Sequence, residues 1–221
     1  AVQQRAVCEK SRFSDLIRAP LRCRPFLRFV VYIFLFYLML SIADSFTVVY
    51  MVRYLGLSYT ATTLLQMLIS LPQLFLLGSW GKISDKRGHS FALKLSIWFF
   101  VGETLFMALS NEQNLYAMIP IAFLFAAVGN SGFVVSVFNR RYELMPQEGR
   151  IVYDNFYSAA VGLAFLLGPV LGGAIKQGLA SLGTLEQLLQ FGSIRLLYVV
   201  SAVSIVLLQL LFSQKHRKPA R

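Results

Sequence analysis

Six runs of about twenty mostly apolar residues, separated by short connections, constrain this chain more than any other feature. They lie at about 29–52, 61–80, 91–110, 115–138, 151–175 and 191–212. A helix that crosses the roughly 30 Å hydrocarbon layer at about 1.5 Å per residue needs about 20 such residues. Inside hydrocarbon every backbone N–H and C=O must be bonded within the protein, and these Leu-, Phe- and Val-rich runs do not alternate polar with apolar as barrel strands do. The expectation is an all-α membrane protein of six transmembrane helices over residues 29–212. It is preceded by a basic segment, 1–28, and followed by a basic tail, 213–221. With 57% hydrophobic and 14% charged residues, the chain suits a bilayer rather than water.

The charges predict an orientation. Of 21 Lys and Arg, one side receives Arg5, Lys10, Arg12, Arg18, Arg22, Arg24 and Arg28 before the first run, and Lys82, Lys86, Arg87 and Lys94 around the second connection. It also receives Arg140, Arg141 and Arg150 in the fourth connection and Lys215, Arg217, Lys218 and Arg221 at the end. The other side keeps Arg53, Lys176 and Arg195. Cytoplasmic loops are enriched in Lys and Arg, so both termini are expected in the cytoplasm, with the chain in a plasma or bacterial inner membrane. Ser14 to Leu21 offers a helix cap and a short apolar face of Leu16, Ile17 and Leu21 beside arginines. It reads equally as a helix on the inner leaflet or as an unstructured basic lead.

A net charge of +11 is spread over these short segments and makes no nucleic-acid-binding face. Cys8, Cys23, His89 and His216 form neither a disulfide framework nor a metal site. No clustered His and Asp pairs, no G-x-S-x-G and no phosphate loop are present, so no enzyme, catalytic residue or cofactor is expected. The basic stretch before the first run does not resemble a cleavable signal peptide.

Three motifs carry further information. The second connection, GSWGKISDKRGH, has glycines at 78, 81 and 88 that suit a tight turn between two helix ends, and Asp85 can cap a helix or pair with Lys86 or Arg87. The fourth connection carries Glu143, Pro146 and Arg150. In the fifth run, Gly168 and Gly172 make a small-x-x-x-small face beside Pro169 and Gly173, suited to close helix approach.

The second connection resembles the loop signature of the major facilitator superfamily, G-x-L-a-D-r-x-G-r-k. Gly81, Ile83, Asp85, Lys86 and Gly88 match it, while His89 and Ser90 stand where two basic residues are usual. The acid, proline and arginine of the fourth connection and the glycine and proline motif of the fifth run also resemble that family, in the right order. The resemblance implies one six-helix half of the facilitator fold, in the C-terminal position because of the long basic lead. It further implies a gating role for the turn at Gly81, Asp85, Lys86, Arg87 and Gly88, and a cytoplasmic charge network involving Glu143 and Arg150. Such a half needs its missing N-terminal half, or a second copy, to enclose a path.

Polar residues within the runs are the candidate site. A carboxylate such as Asp44 costs about 2.5 to 3.5 kcal/mol at the centre of a span. Asp44 reads either as a group facing a wet cavity, on a stripe with Tyr37, Ser41, Val48 and Met51, or as a structural acid. The resemblance places the first and fourth helices along the cavity and the third, with Glu103, at the periphery. Gln66 and Gln73 share a stripe with Thr63, Ser70 and Leu77, and Asn130 lies among Gly129, Ser131 and Gly132. Each reads as solute-binding or as helix packing. Asp154 and Asn155 read as caps of the fifth helix, and Trp80 and Trp98 as interface or packing residues.

The function so implied is secondary active transport of a small solute by alternating access, driven by a solute gradient or coupled to protons through Asp44 or Glu103. The partners are membrane lipids, the solute and the other half. The alternative is a non-transporting assembly or regulatory subunit with the same fold.

Overall fold

In a computed structural model of the chain, which describes residues 13–147, 149–181 and 192–214, every long apolar run is a helix. A short helix, α1 (Phe13–Arg22), leads into α2 (Arg24–Asp44), which continues past a break as α3 (Thr47–Val49) and a π turn at Tyr50–Tyr54. Then follow α4 (Tyr59–Arg87), α5 (His89–Leu109), α6 (Leu115–Leu144), α7 (Arg150–Ser181) and α8 (Ser193–Gln214). Six of these are long and apolar enough to cross a membrane, with α2, α3 and the π turn forming the first span.

The spans begin and end where their residues dictate. Ser58 caps α4 by accepting a hydrogen bond from the Ala61 N–H at 3.1 Å. Pro25 stands in the first turn of α2, where its missing N–H costs nothing, so the first span starts at Arg24 rather than near 29. The basic lead is partly helical. α1 packs on α7, where the Tyr153 hydroxyl donates to the Ala19 carbonyl at 3.4 Å and the Tyr153 ring meets Phe26 edge-on at 5.0 Å.

Packing arranges the spans in two rows. α6 lies between α4 and α5, α2 lies between α7 and α8, α5 also packs on α8, and α2 touches α6 only lightly. The front row therefore runs α4, α6, α2, α7, with α5 and α8 behind. Only 6% of the apolar stretch of α4 and 17% of that of α7 is buried within the chain, against 44–56% for the other four. Phe75 on α4 is 83% exposed and Leu166 on α7 is 65% exposed. These flanking helices present apolar surface to lipid or to a partner.

Two apolar clusters fill the interior. One, towards the end that carries the basic connections, gathers Phe26, Ile33, Phe36, Ile97, Phe133 and Ile205; the other, towards the opposite end, gathers Met51, Met107, Ile119, Ile194 and Leu197. Buried polar groups are used to tie helices together. Tyr32 on α2 donates to Gln209 Oε1 on α8 at 3.1 Å, and Gln209 Nε2 donates to the Lys94 carbonyl of α5 at 3.0 Å. Such bonds are worth about 0.6 kcal/mol each in membrane helices, so they select a packing more than they drive it.

Candidate functional site

At the basic end, the connection between the second and third spans is shorter than a loop. α4 stays helical through Asp85, Lys86 and Arg87, and Gly88 alone (φ 89°, ψ 146°) separates it from α5. That backbone conformation is one that a side chain disfavours strongly. Gly78 and Gly81 are helical instead, with open space around them, so within this chain neither serves a close approach. Across the break, Ser84 Oγ and His89 Nδ1 share a hydrogen bond at 2.7 Å. Asp85 is exposed, forms no ion pair among the described residues, and lines a groove of about 610 Å³ with Arg87, His89, Arg140 and Glu143.

The fourth connection holds ion pairs other than one between Glu143 and Arg150. Glu143 pairs with Arg140 on its own helix at 2.7 Å. Arg150 lies over the Tyr142 ring at 5.7 Å. α7 begins at Arg150 after Gly149, so Asp154 stands beyond the first turn and does not cap; it pairs with Arg141 of α6 at 3.1 Å. The Arg141 guanidinium also sits 4.5 Å from the centre of the Tyr157 ring, close enough for cation–π attraction. Arg141 gave no signal in the sequence beyond its place at the end of a span.

The glycine motif divides in two. A side chain on Gly168 would meet Ser41 and one on Gly172 would meet the Ile42 carbonyl, whereas Gly173 has nothing within 4 Å. α7 therefore crosses α2 through Gly168 and Gly172, one turn before α2 breaks. Pro169 lies within α7, which continues as one helix through it.

The expected stripe along the first span does not hold as one face. Ser41 and Met51 are buried and Tyr37 is half-buried, while Asp44 and Val48 are exposed, because the helix breaks just after Asp44 and restarts at Thr47. Since α8 backs α2 and α5 backs α6, the exposed residues of α2 and α6 lie on the uncovered front. Asp44 is among them, with Val134 and Phe138 of α6. Asn130 on α6 donates from Nδ2 to Gln73 Oε1 on α4 at 3.1 Å. Gln66 is half-buried two turns away, while Thr63 bonds back to its own helix through the Tyr59 carbonyl at 2.9 Å and Ser70 is exposed. Trp80 is buried against Gly132, and Trp98 is 46% exposed.

Around the break, a hydroxyl that the sequence did not single out, that of Thr47, lies near Asp44. The Thr47 hydroxyl approaches Asp44 Oδ1 at 3.5 Å and lies 2.7 Å from the Tyr198 hydroxyl of α8. Glu103, on α5 in the back row, has its Oε2 sealed from solvent with no hydrogen-bond partner among the described residues. Further toward the end away from the basic connections, Tyr50 donates to the Ser110 carbonyl at 2.8 Å and Arg195 Nε donates to the Ala108 carbonyl at 2.9 Å. Among the described residues no group of His, Cys, Asp and Glu could hold a metal ion.

Six spans, the single-glycine turn after Asp85 and the α2–α7 glycine crossing set the frame for the comparisons with known proteins. Residues 26–221 match the sequence profile of the Major Facilitator Superfamily. The chain belongs to that superfamily. Its members are membrane transporters, and this one is a multi-pass membrane protein. Over 117 residues it is also 29% identical to the vacuolar basic amino acid transporter 5 of Saccharomyces cerevisiae, a stretch that makes up 53% of this chain and 20% of that protein. The chain thus spans a small part of that relative's length.

Proposed function

We propose that this facilitator chain is one half of a secondary active transporter that moves a small solute by alternating access, the other half being six further spans or a second copy. The observation that carries the reading is the uncovered front. There the two central helices, α2 and α6, present Asp44 and Asn130, the latter bonded to Gln73 of α4, while the flanking helices α4 and α7 are the least covered of the six. A second half laid on α4 and α7 would enclose these polar groups near the midplane, where transporters place their solutes. The basic end is then cytoplasmic, in a plasma or bacterial inner membrane. The groove at Asp85 is where a helix end of the other half would dock and release.

The test is uptake by the full-length protein in proteoliposomes. Labelled arginine and lysine are the first probes, because a yeast relative is named for basic amino acids and Asp44 supplies a negative charge; neutral and anionic solutes follow. Exchange of any solute across the membrane supports transport. A second reading, a non-transporting subunit, is favoured by the hydrogen bond between Gln73 and Asn130, which uses both amides in packing. It predicts no exchange across the panel, with a cysteine at 44 inaccessible to a polar thiol reagent. The mass of the native polypeptide distinguishes a chain with a further six spans from one that must dimerise.

A further inference from the structure

We propose that α1 and the first turns of α2 form a docking surface for anionic phospholipid headgroups at the basic end of the bundle, where Arg18, Arg22, Arg24 and Arg28 meet the lipid phosphates. The surface lies apart from Asp44 and Asn130 and is independent of the transport reading.

Three observations converge. First, the protein holds α1 in a fixed place. Cys23 alone, with φ −82° and ψ 85°, separates α1 from α2, so the short helix departs from the line of the first span. It rests on α7 instead. Pro20 is buried, and Ala19 is half-buried with its carbonyl accepting from the Tyr153 hydroxyl at 3.4 Å.

Secondly, the arginines face outward. Arg18 and Arg22 are four residues apart on α1, and Arg24 and Arg28 four apart on α2, so each pair shares a helix face. All four are exposed, and none forms an ion pair among the described residues. Residues 1–28 hold seven Lys and Arg against two acids, Glu9 and Asp15, so this lead does not neutralise itself.

Thirdly, apolar side chains stand exposed beside these charges. Leu21 is exposed between Arg18 and Arg22, and Ile151, in the first turn of the helix on which α1 rests, is 77% exposed. Along α2, exposed Arg24 and Arg28 give way within a turn to exposed Val31. The surface thus changes from charged to apolar at this level, as it must where headgroups meet hydrocarbon.

Chemistry selects the partner. A guanidinium is planar, donates two parallel N–H bonds to a phosphate, and is more weakly hydrated than an ammonium. Its aliphatic stem lies along apolar surface while its charged end reaches a headgroup. Four arginines bordered by Leu21, Ile151 and Val31 fit a ligand that is anionic at its head and apolar below. A phospholipid of net negative charge has both parts, whereas a free phosphate or a nucleic acid has no apolar part to cover those side chains.

The experiment is native mass spectrometry of the full-length protein released from detergent micelles that hold equimolar phosphatidylglycerol and phosphatidylcholine, without solute. Wild type is compared with Arg18→Gln/Arg22→Gln, Arg24→Gln/Arg28→Gln and, in the basic tail, Lys215→Gln/Lys218→Gln. Wild type is expected to retain phosphatidylglycerol over phosphatidylcholine. Each arginine pair is expected to weaken phosphatidylglycerol binding by about tenfold or more, because each basic residue near an anionic surface contributes about fivefold. The tail pair is expected to weaken it far less. Equal retention of the two lipids by wild type, or a preference that survives both arginine pairs, overturns the proposal. An equal loss from the tail pair overturns it in favour of unspecific attraction to the basic end. Inorganic phosphate that displaces the lipid at equal concentration overturns it in favour of a free-anion site. Should a double variant not fold, Arg18→Gln and Arg22→Gln made singly decide, each expected to weaken binding by about fivefold. Because no solute is present, none of these outcomes bears on the uptake assay.

Discussion

The side-chain amide of Asn130 on α6 donates to Gln73 on α4 at 3.1 Å, joining a central helix of the front row to its flanking neighbour. Both residues are half-buried at the edge of the uncovered front, so the pair can pack two helices and still face a solute.

If the pair serves a solute, Asn130→Ala and Gln73→Leu each lower uptake by the full-length protein by about tenfold or more. They change stability little, because an interhelical hydrogen bond in a membrane is worth only about 0.6 kcal/mol. Uptake and thermal unfolding measured on the same preparations separate the two. A large loss of stability with normal uptake per folded molecule would assign the pair to packing.

Gly172→Leu and Gly173→Leu differ by one position and are expected to have different consequences. At 172 the side chain meets the Ile42 carbonyl of α2, a backbone atom with little freedom to yield, and the expected loss is about 1–3 kcal/mol. At 173 there is nothing within 4 Å, and folding of the chain is unchanged. Thermal unfolding in detergent measures both.

Gly88→Ala forces a side chain into a backbone conformation reserved for glycine and is expected to cost about 1–3 kcal/mol. Gly81→Ala, within a helix and in open space, is expected to stabilise the isolated half by up to about 1 kcal/mol. In the full-length protein, Gly81→Leu lowers uptake without lowering expression if a helix of the other half lies against this face.

The Arg141–Asp154 pair links α6 to α7 beside the Tyr157 ring. Arg141→Lys keeps the charge but loses the flat stacking, so it is expected to destabilise. The exchange Arg141→Asp with Asp154→Arg recovers part of the loss of each single change. A double-mutant cycle on unfolding reads the coupling, expected at about 1 kcal/mol.

Asp44→Asn keeps the shape of the side chain and removes its titratable carboxyl. Uptake driven by a pH gradient is expected to disappear, while exchange of solute at equal pH on both sides continues. Unchanged pH-driven uptake would remove Asp44 from coupling.

The sequence by itself determined the segregation of the basic connections, the family motifs and the six spans, the spans because a helix in lipid satisfies its own backbone and its existence is a local property. Residue spacing also exposed the α7 glycines, since small residues four apart always share a helix face. It could not show that Gly172 packs on Ile42 while Gly173 does not, that Gly88 rather than Gly78 or Gly81 turns the second connection, or that the first span breaks after Asp44. Nor could it bring Thr47 to Tyr198 across 151 positions, or Asn130 to Gln73 across 57. Lipid offers no hydrophobic drive to choose between helix pairings, so close fit and a few polar contacts make that choice, and those exist only once the helices are assembled.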